Sequence, residues 1–265
     1  MSSNHDTLQT GHLHTRDNIP LACDYGGSGE QLLLFIHGWT CRRKYWESQL
    51  AYFAQTWQVA APDLPGHGDS NTGHRKEWRI ANLARDTEDC VRELNPKQTI
   101  LIGHSMGGAV VLEAARLLGK KATAVILVDT FGIDYGGLWD KDIKQMAAPF
   151  ETDFASAVSD LVEQNVAANT PIDIKKRVIR EMSQADPTWA LPLWRDLLSW
   201  DPLPALRELK IPIHAINGIL IPESARKRCA PFVAETIIPG GGHFLQLEDP
   251  AGFNQTLEQV LLDIT

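Results

Sequence analysis

The apolar run Thr99-Ile100-Leu101-Ile102 passes directly into Gly103-His104-Ser105-Met106-Gly107-Gly108, and no other stretch constrains the chain as strongly. A buried strand that turns at once into a helix brings two backbones almost into contact, so side chains are excluded at Gly103, Gly107 and Gly108. The residue at the apex takes a strained conformation that holds its hydroxyl clear of the backbone. It also stands at the N-terminus of the next helix, where free N–H groups and the helix dipole favour developing negative charge. Ser105 therefore reads as a nucleophile.

Short β-type runs at 21–25, 32–36, 57–61, 99–102, 123–129, 212–217 and 235–238 alternate with helical patterns at 43–54, 77–94, 105–118, 224–232 and 252–264. That order builds an α/β fold with a mainly parallel sheet covered by helices on both faces. Residues 134–202 interrupt it with helical patterns and no strong strand candidate, so they read as a helical cap on a core formed by 1–133 and 203–265. The interruption carries Trp139, Trp189, Trp194 and Trp200 with Phe150 and Phe154. A small helical insertion needs large side chains to bury area at all, and some of these are expected to line a pocket beneath it.

Composition narrows the classes of function. Forty-three per cent hydrophobic residues in 265 can fill a sizeable core, and the net charge of -8 with no dense basic run argues against nucleic-acid binding. Arg42-Arg43-Lys44 and Lys175-Lys176-Arg177 read as solvated helix faces. No apolar stretch is long enough to span a membrane, and Met1-Ser2-Ser3-Asn4-His5-Asp6 lacks the apolar core of a secretory leader, so a cytoplasmic protein is expected. Cys23, Cys41, Cys90 and Cys229 have neither zinc-site spacing nor a disulfide framework. No metal and no cofactor are expected, and the partner is a small-molecule substrate. Nothing in the chain fixes its oligomeric state.

A serine hydroxyl needs a base to take its proton and an acid to orient that base. His243, in the loop Pro239-Gly240-Gly241-Gly242-His243-Phe244 after the last strand candidate, is the candidate base. His214 lies inside an apolar strand and reads as a hydrogen-bonded core histidine.

With His37-Gly38-Trp39, Asp63-Leu64-Pro65-Gly66-His67-Gly68-Asp69-Ser70, the serine turn, Asn217-Gly218 and Gly242-His243 in this order, the chain resembles the α/β-hydrolase superfamily almost throughout, outside the cap. The resemblance implies an α/β-hydrolase fold with an eight-stranded, mainly parallel sheet, and an oxyanion hole from the backbone N–H groups of Trp39 and Met106. Asp63, Gly66 and Gly68 are expected to shape a turn. The pattern departs at the acid: such proteins usually place an aspartate after Asn217-Gly218, where this chain has Ile219. Asp129, at the end of the 123–129 strand, is the best replacement, because some members carry their acid there. Glu223 and an altered dyad remain alternatives. Glu248 and Asp249 are expected to cap the final helix.

The leading expectation is a serine hydrolase that cleaves an ester, lactone or related acyl bond of a small, apolar or aromatic substrate. Serine at the turn argues against the dehalogenase and epoxide-hydrolase branches, which use aspartate there. His37, Phe131, Trp139, Trp189 and Phe244 are candidate pocket residues, with His37 also read as a loop brace. Other readings are a carbon–carbon bond hydrolase, a cofactor-free dioxygenase using His243 and Asp129, and a slow or non-catalytic sensor that Ile219 keeps open.

Overall fold

A computed structural model of the chain describes residues 8–264; the N-terminal stretch read above as lacking a leader lies outside them. The strands β1 (Gln9–His14), β2 (Pro20–Gly26), β3 (Gln31–Ile36), β4 (Gln58–Pro62), β5 (Gln98–His104), β6 (Ala122–Val128), β7 (Ile213–Asn217) and β8 (Ala234–Ile237) form one sheet. Its order is β1-β2-β4-β3-β5-β6-β7-β8. The pairs β1/β2 and β2/β4 are antiparallel, and every pairing from β4 through β8 is parallel.

Central strands of such a sheet are buried on both faces, which is why they read as unbroken apolar runs. In β3, Leu32, Leu34 and Ile36 enter one core cluster, whereas Leu33 and Phe35 enter another. The first cluster packs under α2 (Ile80–Leu94) and α3 (Met106–Leu118) through Leu83, Val91, Val110 and Ala114. The second packs under α1 (Glu47–Phe53) and α11 (Pro250–Ile264) through Phe53, Phe253 and Leu257. β1 carries no strand signal in the sequence because it is an edge strand whose one buried side chain is Leu13.

Between β6 and β7 the chain forms α4 (Asp140–Thr152), α5 (Phe154–Asn165), α6 (Ile172–Met182), α7 (Pro187–Leu198) and α8 (Leu203–Glu208). Successive helices α4, α5 and α6 pack on one another, and α7 packs on α4. Asp153 starts α5 by accepting the Ser156 N–H at 3.1 Å, and Asp186 starts α7 by accepting the Thr188 N–H at 2.8 Å. The helices α9 (Glu223–Cys229) and α10 (Leu245–Glu248) complete the set. Among the described residues no helix is long and apolar enough to cross a membrane.

The basic triplet at 42–44 departs from its reading as a solvated face. Arg43 is 4% exposed and its guanidinium is held by Asp24, Asp63 and Asp69. The acids come from strand β2 and the turn after β4, which no local pattern around residue 43 reveals.

Candidate active site

The junction of β5 and α3 is as tight as its glycines require. A Cβ at Gly103 would collide with the Gly107 carbonyl, one at Gly107 with the Ile36 carbonyl, and one at Gly108 with the Thr130 side chain. Ser105 adopts φ 54 and ψ -121, a left-handed conformation that costs a non-glycine residue about 1–3 kcal/mol and persists only where its surroundings impose it. Its own N–H donates to the Val128 carbonyl at 2.9 Å, fixing the apex to the end of β6.

The turn after β3 rests against this apex. A Cβ at Gly38 would stand 3.2 Å from Ser105 Cβ, and the next residue, Trp39, lines the same cavity as the serine. Among the described residues neither the Trp39 N–H nor the Met106 N–H has an acceptor. The Trp39 ring reaches the other way. Its Nε1–H donates to the Ala190 carbonyl at 2.9 Å in α7, and it stacks with Trp194, ring centroids 4.8 Å apart.

Asp129 follows β6 directly, 1% exposed, with φ 46, another left-handed non-glycine conformation. Its Oδ1 accepts the Gly218 N–H at 2.7 Å, and its Oδ2 lies 2.6 Å from His243 Nδ1. Because a carboxylate accepts, Nδ1 carries the proton, which leaves Nε2 of the neutral ring with its lone pair. Gly218 also lets the end of β7 press against the Gly241 and Gly242 carbonyls, so the Asn217-Gly218 pair serves as an anchor for both Asp129 and the histidine loop. Ile219 is 53% exposed, with its N–H bonded to the Gly241 carbonyl at 3.0 Å. Glu223 is on the surface, paired with Lys227 at 2.7 Å.

The His243 peptide is held on every side. Its N–H donates to the Asn165 carbonyl at 2.9 Å, and its carbonyl accepts from His104 Nε2 at 2.8 Å. Glu248 accepts the N–H groups of Gly242 and Phe244 at 2.7 and 3.3 Å. Glu248 therefore braces the loop instead of capping the last helix; Asp249 does that, its Oδ1 accepting the Gly252 N–H at 3.1 Å. Burial holds the His104 pKa well below its ordinary value, with neighbouring His243 adding to the effect. In the sequence His104 stands out only as part of the serine turn, and nothing local announces its bond to a residue so distant in the chain.

Ser105 and His243 open on one cavity of about 240 Å³. The core contributes Trp39, Cys41 and Phe244 to its wall, and the helical insertion contributes Met146, Leu161, Val162, Met182 and Trp194. Of the five candidate pocket residues, Phe244 is the one that lines it. His37 is fully buried behind the turn, where its Nε2 accepts the Leu64 N–H at 3.0 Å. Phe131 turns into a separate gap of about 50 Å³ with Ile221 and Val233. Trp139 is 75% exposed at the start of α4. Trp189 packs on His67 and Trp78 with centroids 4.3 and 5.7 Å apart, and Gly66 leaves room for its ring. Which way an aromatic ring on a short loop or amphipathic helix faces depends on partners far along the chain, so its presence alone misleads. The turn from Asp63 does form as read: Asp63 accepts the N–H groups of Arg43 and Asp69 at 2.6 and 2.8 Å.

The sheet and its flanking helices have the fold of one family. The model of the alpha/beta hydrolase family matches residues 33–256, and the chain belongs to that family. A pimeloyl-[acyl-carrier protein] methyl ester esterase of Pseudoalteromonas atlantica is 31% identical over 208 residues, covering 73% of this chain and 77% of its own. Two solved structures share the fold. A thermophilic esterase from Thermogutta terrifontis has TM-score 0.82 at 21% identity, covering 97% of this chain and 99% of its own. An esterase from Exiguobacterium antarcticum has TM-score 0.83 at 17% identity, covering 95% and 99%.

Proposed function

We propose that the protein is a serine hydrolase that cleaves an ester, lactone or related acyl bond of a small, apolar or aromatic substrate through an acyl-enzyme on Ser105. The observation that carries this reading is the 2.6 Å contact of His243 Nδ1 with Asp129 Oδ2, behind a strained serine that shares a cavity with His243. His243 Nε2 takes the hydroxyl proton as Ser105 Oγ attacks the carbonyl carbon. The oxyanion is received by the Trp39 and Met106 N–H groups, each worth about 3 kcal/mol of transition-state stabilisation. The imidazolium, stabilised by Asp129, then protonates the leaving alcohol, and water repeats the sequence to release the acid. The helical insertion acts as a cap that supplies the apolar wall.

The methyl ester esterase relative supports an ester as the bond cleaved. Asp129 beside His243 supports turnover over the sensor that Ile219 left open.

A fluorophosphonate and a panel of short p-nitrophenyl esters test the reading. Expected are single labelling of the intact protein, ester turnover, and loss of both in Ser105→Ala. An inert serine, or metal-free oxygen consumption with a hydroxyquinolone in place of ester cleavage, overturns it.

A further inference from the structure

Among the described residues, a phenol in the wall of the cavity has no hydrogen-bond partner. Tyr135 is 3% exposed and lines the cavity that holds Ser105, and its phenol oxygen makes no hydrogen bond to any described residue. Packing seals Thr130 Oγ1 and Trp194 Nε1, its neighbours in that wall, away from the open space, whereas the Tyr135 oxygen is not sealed. Asn165 Nδ2 donates to the Leu161 carbonyl at 2.8 Å, and Gln164 is exposed at the rim.

The backbone and ring that carry this hydroxyl are held in place. The Tyr135 N–H donates to the Ile133 carbonyl at 2.9 Å, and Arg228 Nε donates to Asp134 Oδ1 at 2.8 Å. Gly136 turns the chain at φ 78, and a Cβ there would stand 2.6 Å from Asp201 Oδ1. The ring lies edge-on to Trp200, centroids 5.8 Å apart, and Trp200 Nε1 donates to Glu113 Oε1 at 3.0 Å. A donor fixed in this way loses little freedom when it binds. Burial pushes the phenol up from its ordinary value, so it stays neutral and able to donate at working pH.

We propose that the Tyr135 hydroxyl is a specificity determinant that hydrogen-bonds an oxygen on the substrate away from the scissile carbonyl. The preferred substrates are then acyl compounds bearing a hydroxyl, keto, ether or ring oxygen, ahead of plain hydrocarbon esters of the same size. This rests on the Ser105 hydrolase reading. A hydrocarbon group that expels water from the cavity strands a buried donor, and sites built around such a bond discriminate strongly against analogues that lack it.

The test compares p-nitrophenyl 4-oxopentanoate with pentanoate, 3-hydroxybutyrate with butyrate, and tetrahydrofuran-2-carboxylate with cyclopentanecarboxylate, in the natural protein and in Tyr135→Phe. The natural protein is expected to favour at least one oxygenated ester by about tenfold or more in kcat/KM. Tyr135→Phe is expected to bring that ratio within about threefold of unity by slowing the oxygenated ester alone, the loss of one hydrogen bond. No preference in any pair, or a preference that survives Tyr135→Phe, overturns the proposal. Fluorophosphonate labelling of both proteins separates the two failures: labelled serine without a preference sinks the selector and leaves the hydrolase, whereas an unlabelled natural protein sinks both.

Discussion

The ring of His104 is hydrogen-bonded to the backbone of His243: Nε2 of the residue before the serine lies 2.8 Å from the His243 carbonyl. The strained turn and the His243 loop are thereby tied together through a backbone carbonyl.

Replacing His104 by phenylalanine keeps the volume and removes the donor. One lost hydrogen bond of about 1–3 kcal/mol lowers kcat by roughly tenfold to a hundredfold while KM changes little. His104→Gln, which can still donate, recovers most of the rate. Steady-state ester hydrolysis with both variants measures this, and an equal loss in both would point to packing alone.

Asp129→Asn is expected to lower turnover by about two to four orders of magnitude, because the amide no longer selects the Nδ1-protonated ring. Glu223→Gln leaves turnover unchanged, since that carboxylate is exposed and paired with Lys227. If the two variants ranked in the opposite order, the acid would have to be reassigned.

Gly107→Ala sets a methyl group against the Ile36 carbonyl, a backbone atom that cannot rotate aside. Overpacking of this kind costs about 1–3 kcal/mol, and urea unfolding should show the midpoint falling accordingly.

The serine turn was legible because its glycines, serine and preceding strand lie within ten residues and satisfy one steric problem. Asp129 could be singled out because Ile219 vacates the usual position, yet its contact with His243 spans 114 positions and depends on how β6 and β7 align. Pocket membership was much less legible. Trp139 and Trp189 belong to the same insertion as Trp194, but only the last faces Ser105, because Trp189 finds His67 and Trp78 to stack on. Arg43 misled for a similar reason, its acids being distant in sequence. Nothing in the sequence sets Tyr135 apart from the other aromatic residues, because its place in the cavity wall depends on the turn at Gly136 and on Trp200 far along the chain.

The buried histidines set an acid limit on stability. Burial lowers the pKa of His37 and holds those of His67 and His104 well below their ordinary value, with His37 adding to the effect on His67 and His243 to that on His104. The unfolded chain takes up protons below about pH 6.5 that the folded protein refuses. Stability is therefore full above that pH and falls beneath it, by about 1.4 kcal/mol per pH unit for each histidine until its folded pKa is reached. Unfolding free energies from urea titrations at several values between pH 7.5 and 5 should show this slope, and a flat profile would contradict it.

The bond from the His243 N–H to the Asn165 carbonyl joins the base loop to the end of α5. A chimera that exchanged the helices between β6 and β7 for those of another family member would keep Ser105, Asp129 and His243 but replace the carbonyl that accepts the His243 N–H. For the proposed serine hydrolase, grafting for a new substrate range and preserving proton transfer are therefore a single design problem, and donor segments have to be chosen for the backbone they present at position 165 as much as for the side chains they bring to the cavity.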